Sequence, residues 1–416
     1  MTSADQPAPV RVDEARLDAL VSTLGRVGSH PDGGIVRPLY SSAWREAQDL
    51  VATFMRDAGL AVHEDPVGNV FGRIDGDQDE GSVLTGSHID TVTHGGAYDG
   101  ALGVLSGIAA VEAAAKAGGR PRRPVEVVSL CEEEGSRFHS NFFGTRAILG
   151  MVEDGEPDDL LDAEGISLAT AGRSVGTDPR SYAQAGRDDL AMFLELHIEQ
   201  GRTLVDARTD IGVVDAITGL SWLEVTVQGS TDHAGTTAMK DRRDALQGAA
   251  QMTAAVEEVV VEQGHPAVGT VGIMRVLPGG ANVVPGQVQF TVDLRHPSTP
   301  VLERLVATVR ERCQAVADAR RLDVHVERVK DTPPHDLDED LRAMLRGSAD
   351  ACAASWRNLP SGAGHDSQTM ATRLPTAMLF VPSVEGRSHS PAEYSTPASC
   401  ALGASVLATT LRSLAW

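Results

Sequence analysis

Histidines stand beside carboxylates in separated places of this sequence. The first place is Gly86-Ser87-His88-Ile89-Asp90, followed by Asp99 in Ala97-Tyr98-Asp99-Gly100. On an extended segment residues i and i+2 face one side, so His88 and Asp90 share a face. Asp90 can accept a hydrogen bond from one ring nitrogen of His88, which fixes the tautomer and leaves the other nitrogen for a metal. Asp99 lies in a glycine-rich loop before a helical stretch, free to bridge two ions. The second place is Glu132-Glu133-Glu134-Gly135, directly after the apolar run that ends at Cys131. Three adjacent carboxylates there repel one another and lose hydration, unless a cation neutralises them or water reaches all three. His197-Ile198-Glu199-Gln200-Gly201 ends another apolar run, and Ser388-His389-Ser390-Pro391-Ala392-Glu393 lies near the C-terminus. The bland alternative at each place is a solvated polar loop. Together they supply imidazoles and carboxylates, the mixed nitrogen and oxygen set that suits zinc or a neighbouring divalent metal.

Such groups need rigid elements to aim them. Three short apolar runs, residues 82–90, 125–133 and 191–199, read as buried strands. Between the first two, residues 100–119 form an alanine-rich helical pattern that closes on a glycine pair. Strand, helix and strand at this spacing make a βαβ unit and an α/β sheet. Upstream, a helix is expected over residues 12–27. A second begins with Ser41 or Ser42 as N-cap and stops at Gly59. After about Gly212 the pattern changes to strand 222–230, helix 244–264, the strands TVGIMRV and QVQFTVDLRH, helix 299–322 and strand 323–329. That β-α-β-β-α-β order is a split βαβ sandwich. The first kind of pattern resumes near Asp338. The expectation is an α/β/α catalytic domain over 1–213 and 331–416, interrupted by an inserted α+β domain over 214–330.

The bulk properties are consistent with this. A chain of 416 residues suits two domains. With 36 Lys and Arg against 58 Asp and Glu, the formal charge of -22 disfavours nucleic acid and anionic lipid as partners. Residues 1–10 read as a loose polar tail without the basic and apolar regions of a signal peptide. No uninterrupted apolar run is long enough to predict a membrane span. The four cysteines, Cys131, Cys313, Cys352 and Cys400, show no paired spacing, so a reducing cytoplasm is expected.

The motifs GSHIDTV, GGAYDGALGV, EEEGSRF, LHIEQG, DHAGTT, GANVVPG, DLRHP, GAGHDS and SHSPAEYS, in this order from about residue 15 to the C-terminus, resemble the carbamoylase branch of the M20 metallopeptidase-like amidohydrolases. That branch holds N-carbamoyl-L-amino-acid hydrolases, β-ureidopropionases and allantoate amidohydrolases. The resemblance implies a catalytic domain of the zinc-exopeptidase type with a ferredoxin-like lid and dimerisation domain. It implies two divalent ions per chain, zinc or manganese, with nickel or cobalt tolerated. His88 and His197 bind one ion each or share a pair with their partners. Asp99 bridges the ions, Glu134 is a ligand, and His389 completes the second ion. Glu133 is the general base that takes a proton from water. Counting back from Gly135 separates these two roles from Glu132.

On the substrate side, the resemblance implies that His233 reaches an active site across a homodimer interface and stabilises the oxyanion. Asn282 holds the polar end of the substrate, and Arg295 offers a planar fork to a carboxylate. Gln200 contacts the ureido group or the carboxylate, and His365 is a further polar candidate near the domain junction. The implied substrate is a small ureido acid. The run LCEEEGSRFHSNFFGTRAILG favours allantoate, with an N-carbamoyl-L-amino acid next. An aminoacylase or peptidase of the same fold is the second enzyme reading, against which LHIEQG and DHAGTT speak. A silent binding protein of this fold is the third, and it should have lost metal ligands or the base, all of which are present here.

Overall fold

The computed structural model describes residues 9–78 and 80–416. Residues 1–8 of the expected polar tail lie outside the described residues. The chain divides into two compact units, one of residues 1–215, 337–359 and 365–416, the other of residues 216–336 and 360–364.

The first unit is built on a mixed sheet. Its strands run in the order Ala61–Glu64, Val70–Ile74, Val125–Leu130, Ser82–His88, Leu190–Ile198, Thr376–Val381 and Ile211–Ile217. The four central strands, from Val125–Leu130 to Thr376–Val381, are parallel, and their neighbours on either side run antiparallel. Three of these four are buried at every residue, which is why they read as continuous apolar text rather than alternation. Helix Ala101–Gly118 connects the first parallel pair. It packs against Pro397–Ala415, which in turn contacts Glu14–Leu24 and Glu339–Ala351. Ala101–Gly118 and Pro397–Ala415 are long and apolar enough to cross a membrane by length and composition, yet 67% of each is buried inside the protein. They are core helices.

Local signals set the element ends. Ser41 caps helix Ser42–Asp57 by accepting the N–H of Trp44, and Asp13 caps Glu14–Leu24 by accepting that of Arg16. The expected strands 82–90 and 125–133 end earlier, at His88 and Leu130. The chain leaves the sheet where the polar residues of the site begin.

The second unit is an antiparallel sheet in the order Met274–Leu277, Gln287–His296, Gly219–Gln228 and Asp323–Thr332. Helices Ala245–Gln263 and Thr299–Arg320 cover one face, onto which Leu223, Val225, Val227, Val288, Phe290, Val292 and Leu294 point. The strand expected from TVGIMRV is two pieces, Val268–Thr270 and Met274–Leu277. Thr270 pairs with Asp293 and Met274 with Phe290, so one extra residue bulges out of the ladder. The Thr291 hydroxyl fills that break by accepting the N–H of Ile273.

Candidate metal centre

The carboxyl ends of parallel strands are where an open α/β sheet holds its ligands. His88 is the last residue of its strand, His197 the next to last of the adjacent one, and Glu133 and Glu134 follow Leu130 on the other neighbour. Asp99 enters from the loop before helix Ala101–Gly118, and His389 from the segment after Thr376–Val381.

These side chains meet around Asp99. Its Oδ1 lies 3.2 Å from His197 Nε2 and 3.7 Å from His88 Nε2. Its Oδ2 lies 3.5 Å from His389 Nε2, which is 3.3 Å from Glu134 Oε2. Two groups result, His88, Asp99 and His197, and Asp99, Glu134 and His389. Within each, the candidate ligand atoms lie within 4.8 Å of one another. Glu133 Oε2 stands 3.8 Å from His88 Nε2.

Backbone carbonyls set the tautomers. His88 Nδ1 lies 3.1 Å from the Asp90 carbonyl and His197 Nδ1 lies 2.9 Å from that of Ile198. A carbonyl only accepts, so Nδ1 carries a proton in both rings, and in the neutral imidazole Nε2 is left to present the lone pair. The N–H of Gly100 donates to His197 Nε2 at 3.1 Å, which requires that lone pair. Lone pairs and carboxylate oxygens therefore converge on a buried point. Such a convergence is stable only when cations or protons occupy it, so the donor set fits divalent metal.

The electrostatics show the same excess of negative charge. Burial pulls the His88 imidazole down, but Glu133, Asp90 and Glu134 outweigh it and hold the ring well above the usual histidine range. Burial, with Asp99 and Asp90 added, pushes Glu134 up to about 8. Burial likewise drives Glu133 well above the carboxylate range, against the pull of His88.

The acidic triplet is sorted by the backbone. Glu132 has φ of 61°, a left-handed conformation unusual for a side-chain-bearing residue. Its carboxylate turns away from the cluster and accepts from the Ser140 hydroxyl and the N–H of Phe143. The N–H groups of Glu133 and Glu134 donate to the Asp90 carboxylate, which holds the following loop beneath the imidazoles. Gly100 is required by space. Its φ is 62°, and a Cβ there would stand 2.3 Å from His88 Nε2.

The remaining expected residues fall into two sets. Gln200 belongs to the metal cluster, donating to Asp99 Oδ2 at 2.9 Å. His365 is 1% exposed and packs edge-on against His197, with ring centroids 4.5 Å apart. Burial and then the neighbouring His197 hold its imidazole well below the usual range, and with Glu195 and His197 it forms a third group of candidate ligand atoms within 4.8 Å of one another. His233, Asn282 and Arg295 belong to the second unit. His233 is exposed, and its Nδ1 accepts the N–H groups of Gly235 and Thr236, which leaves the proton on Nε2. The Asn282 carbonyl accepts the N–H of Ala234, so Asn282 and His233 sit together. Arg295 is paired along its own strand with Asp293 at 2.9 Å and donates to the Gly362 carbonyl.

Several residues of the site escaped the sequence reading. Glu393, noted in the sequence beside His389 but given no role, accepts the N–H groups of Tyr98 and Asp99. Glu195, fully buried, accepts from the hydroxyls of Ser87 and Ser367. Its position two residues before His197 on a strand was a usable signal, since both share a face. Arg37 is 1% exposed and donates through Nε to the Ile89 carbonyl. Burial pulls its guanidinium to about 10 against the opposing pull of Asp90. Nothing in the local text around Arg37 marks it.

Comparisons with known proteins identify the family. The profile of Peptidase family M20/M25/M40 matches residues 84–413. The chain is 41% identical to an N-carbamoyl-L-amino acid amidohydrolase of Geobacillus stearothermophilus, over 96% of this chain and 98% of that one. It is 39% identical to an allantoate amidohydrolase of Bacillus subtilis, over 95% and 96%. A crystal structure of a hydantoinase/carbamoylase family amidase from Burkholderia multivorans superposes with a TM-score of 0.90 at 34% identity, covering 97% of this chain and 98% of that chain. On these matches the chain belongs to Peptidase family M20/M25/M40 and, within it, to the hydantoinase/carbamoylase amidohydrolases.

Proposed function

We propose that this protein hydrolyses the carbamoyl C–N bond of a small ureido acid with two divalent cations. One would be held by His88, Asp99 and His197, the other by Asp99, Glu134 and His389. The observation that carries this reading is Asp99, whose two oxygens face the two groups separately. Zinc or manganese suits the donor set, and nickel and cobalt are compatible with it. Bound there, the cations supply Lewis acidity toward the carbamoyl carbonyl and favour ionisation of water.

The residues of the chain do the rest. Glu133, beside His88 and bonded to no cation in this assignment, takes the proton from the attacking water and passes it to the departing nitrogen. Water and the ureido group R–NH–CO–NH2 yield R–NH2, CO2 and NH3. On the second unit, His233 is already in the tautomer that donates through Nε2, the form needed at a developing oxyanion. Asn282 and Arg295 are assigned to the polar end and the carboxylate of the substrate. A homodimer is the expected assembly. Four buried free thiols suit a reducing cytoplasm.

Allantoate is the first candidate substrate, on the text around EEEGSRF, and N-carbamoyl-L-amino acids are the second. The two curated relatives described above carry one of these names each. The test is ammonia and CO2 release from allantoate, N-carbamoyl amino acids of several side chains and N-carbamoyl-β-alanine, with each metal in turn. Turnover of one ureido acid is expected. Turnover of N-acyl amino acids or dipeptides alone, or of nothing, rejects the proposal.

A further inference from the structure

The two groups around Asp99 are held in different ways. In the first, both imidazoles are buried and each is fixed by a backbone carbonyl at Nδ1. In the second, the His389 side chain is 50% exposed and, among the described residues, its ring nitrogens make no hydrogen bond. It sits on a loop at φ of 53°, outside any strand or helix. Something other than a bond to the ring must therefore place it opposite Asp99.

Glu393, four residues after His389, occupies that place. It is 6% exposed. Its Oε1 accepts the N–H groups of Tyr98 at 2.8 Å and Asp99 at 3.0 Å. Its Oε2 receives the Ser388 hydroxyl at 3.0 Å, and that hydroxyl also contacts Asp99 Oδ2. The approach depends on Gly96, where a Cβ would stand 2.1 Å from Glu393 Oε1. The ring of Tyr394 meets that of Tyr98 edge-on, 6.0 Å between centroids, and closes the same junction. One carboxylate thus ties the loop that carries His389 to the loop that carries Asp99.

We infer that Glu393 is a positioning residue chiefly for the second cation. It substitutes for the missing bond at His389 Nδ1 by fixing the distance between the two loops. The first group depends on it only through the shared Asp99, because His88 and His197 are strand residues anchored by their own backbone. Outer partners of this kind are worth about 10- to 100-fold in metal affinity. This inference rests on the two-cation reading above.

The experiment is a zinc titration of the metal-stripped protein against a competing indicator, with bound zinc counted after dialysis. Wild type, Glu393→Ala, Glu393→Gln and Ser388→Ala are compared, and circular dichroism checks each fold. Wild type should bind two ions. Glu393→Ala should lose about 10- to 100-fold in affinity at the second ion and markedly less at the first. Glu393→Gln retains an acceptor for the two N–H groups and should recover most of that loss. Ser388→Ala should weaken the second ion more than the first, and it carries the test if Glu393→Ala does not fold. Two unchanged affinities in Glu393→Ala, or an equal loss at both sites in the folded variants, overturns the role of Glu393 while leaving the two-cation reading intact. Fewer than two ions in wild type overturns both.

Discussion

Asp90 lies 3.4 Å from His88 Nδ1 through its carboxylate and accepts the backbone N–H of Glu133 on both of its oxygens. The same side chain therefore stands against a proposed metal-binding imidazole and holds the loop that carries the proposed base. Asp90→Ala should lower metal affinity and turnover by about 10- to 100-fold, the range for lost outer partners of metal ligands. Paired zinc titration and steady-state kinetics check this. Wild-type values in both would remove Asp90 from the site.

Glu133→Gln separates the base from the ligands. The variant should keep both cations and its melting temperature, because neither group around Asp99 includes Glu133. Its kcat should fall by about 10²- to 10⁴-fold, the usual contribution of a general base. Full activity at full metal content would assign proton transfer elsewhere.

Metal removal should cost stability as well as activity. A ligand at one hundred times its Kd stabilises the folded state by about 2.7 kcal/mol. The chelated protein should melt at a lower temperature than the metal-loaded one and regain both activity and melting temperature on adding zinc or manganese. An exhaustively chelated protein with undiminished turnover would end the metal reading.

His233→Ala tests the second unit. His233 is exposed, and among the described residues its ring bonds only the nearby backbone of Gly235 and Thr236, so the fold should be unaffected. Loss of one oxyanion donor predicts about a 10²- to 10³-fold fall in kcat. Mixing this variant with Glu133→Gln should restore activity if each competent site draws on two chains. No recovery in mixed dimers would place both residues in service of the same chain.

Acid stability should report Glu126. This carboxylate is fully buried and receives Arg73 and Arg187, each at 2.8 Å. Burial raises its pKa, but the Arg187 bond and its other partners outweigh that and leave it lowered. A lowered folded-state pKa gives stability that is complete above the unfolded pKa of about 4.3 and is lost as pH falls through the folded value. Glu126→Gln should cost roughly 3 kcal/mol at pH 7, as for a broken buried pair. In urea melts the gap should shrink as the pH drops below about 4. A gap independent of pH would show that charge is not what Glu126 contributes.

The sequence by itself determined the elements and the chemistry. Apolar periodicity marked Ser42–Asp57, the parallel strands and the two helices of the second unit. The residue types at 88, 99, 132–134, 197 and 389 announced cation chemistry. Those signals are local, because side-chain type and spacing act within a few residues. What tertiary structure decided depends on chain distance. Gln200 and Glu393 meet Asp99 from roughly one hundred and three hundred residues away. His365 is turned inward against His197. Even within the acidic triplet, a single backbone angle at Glu132 decides which carboxylates face the imidazoles. Burial and long-range hydrogen bonds arise only once the strands are side by side, so no window of text could display them.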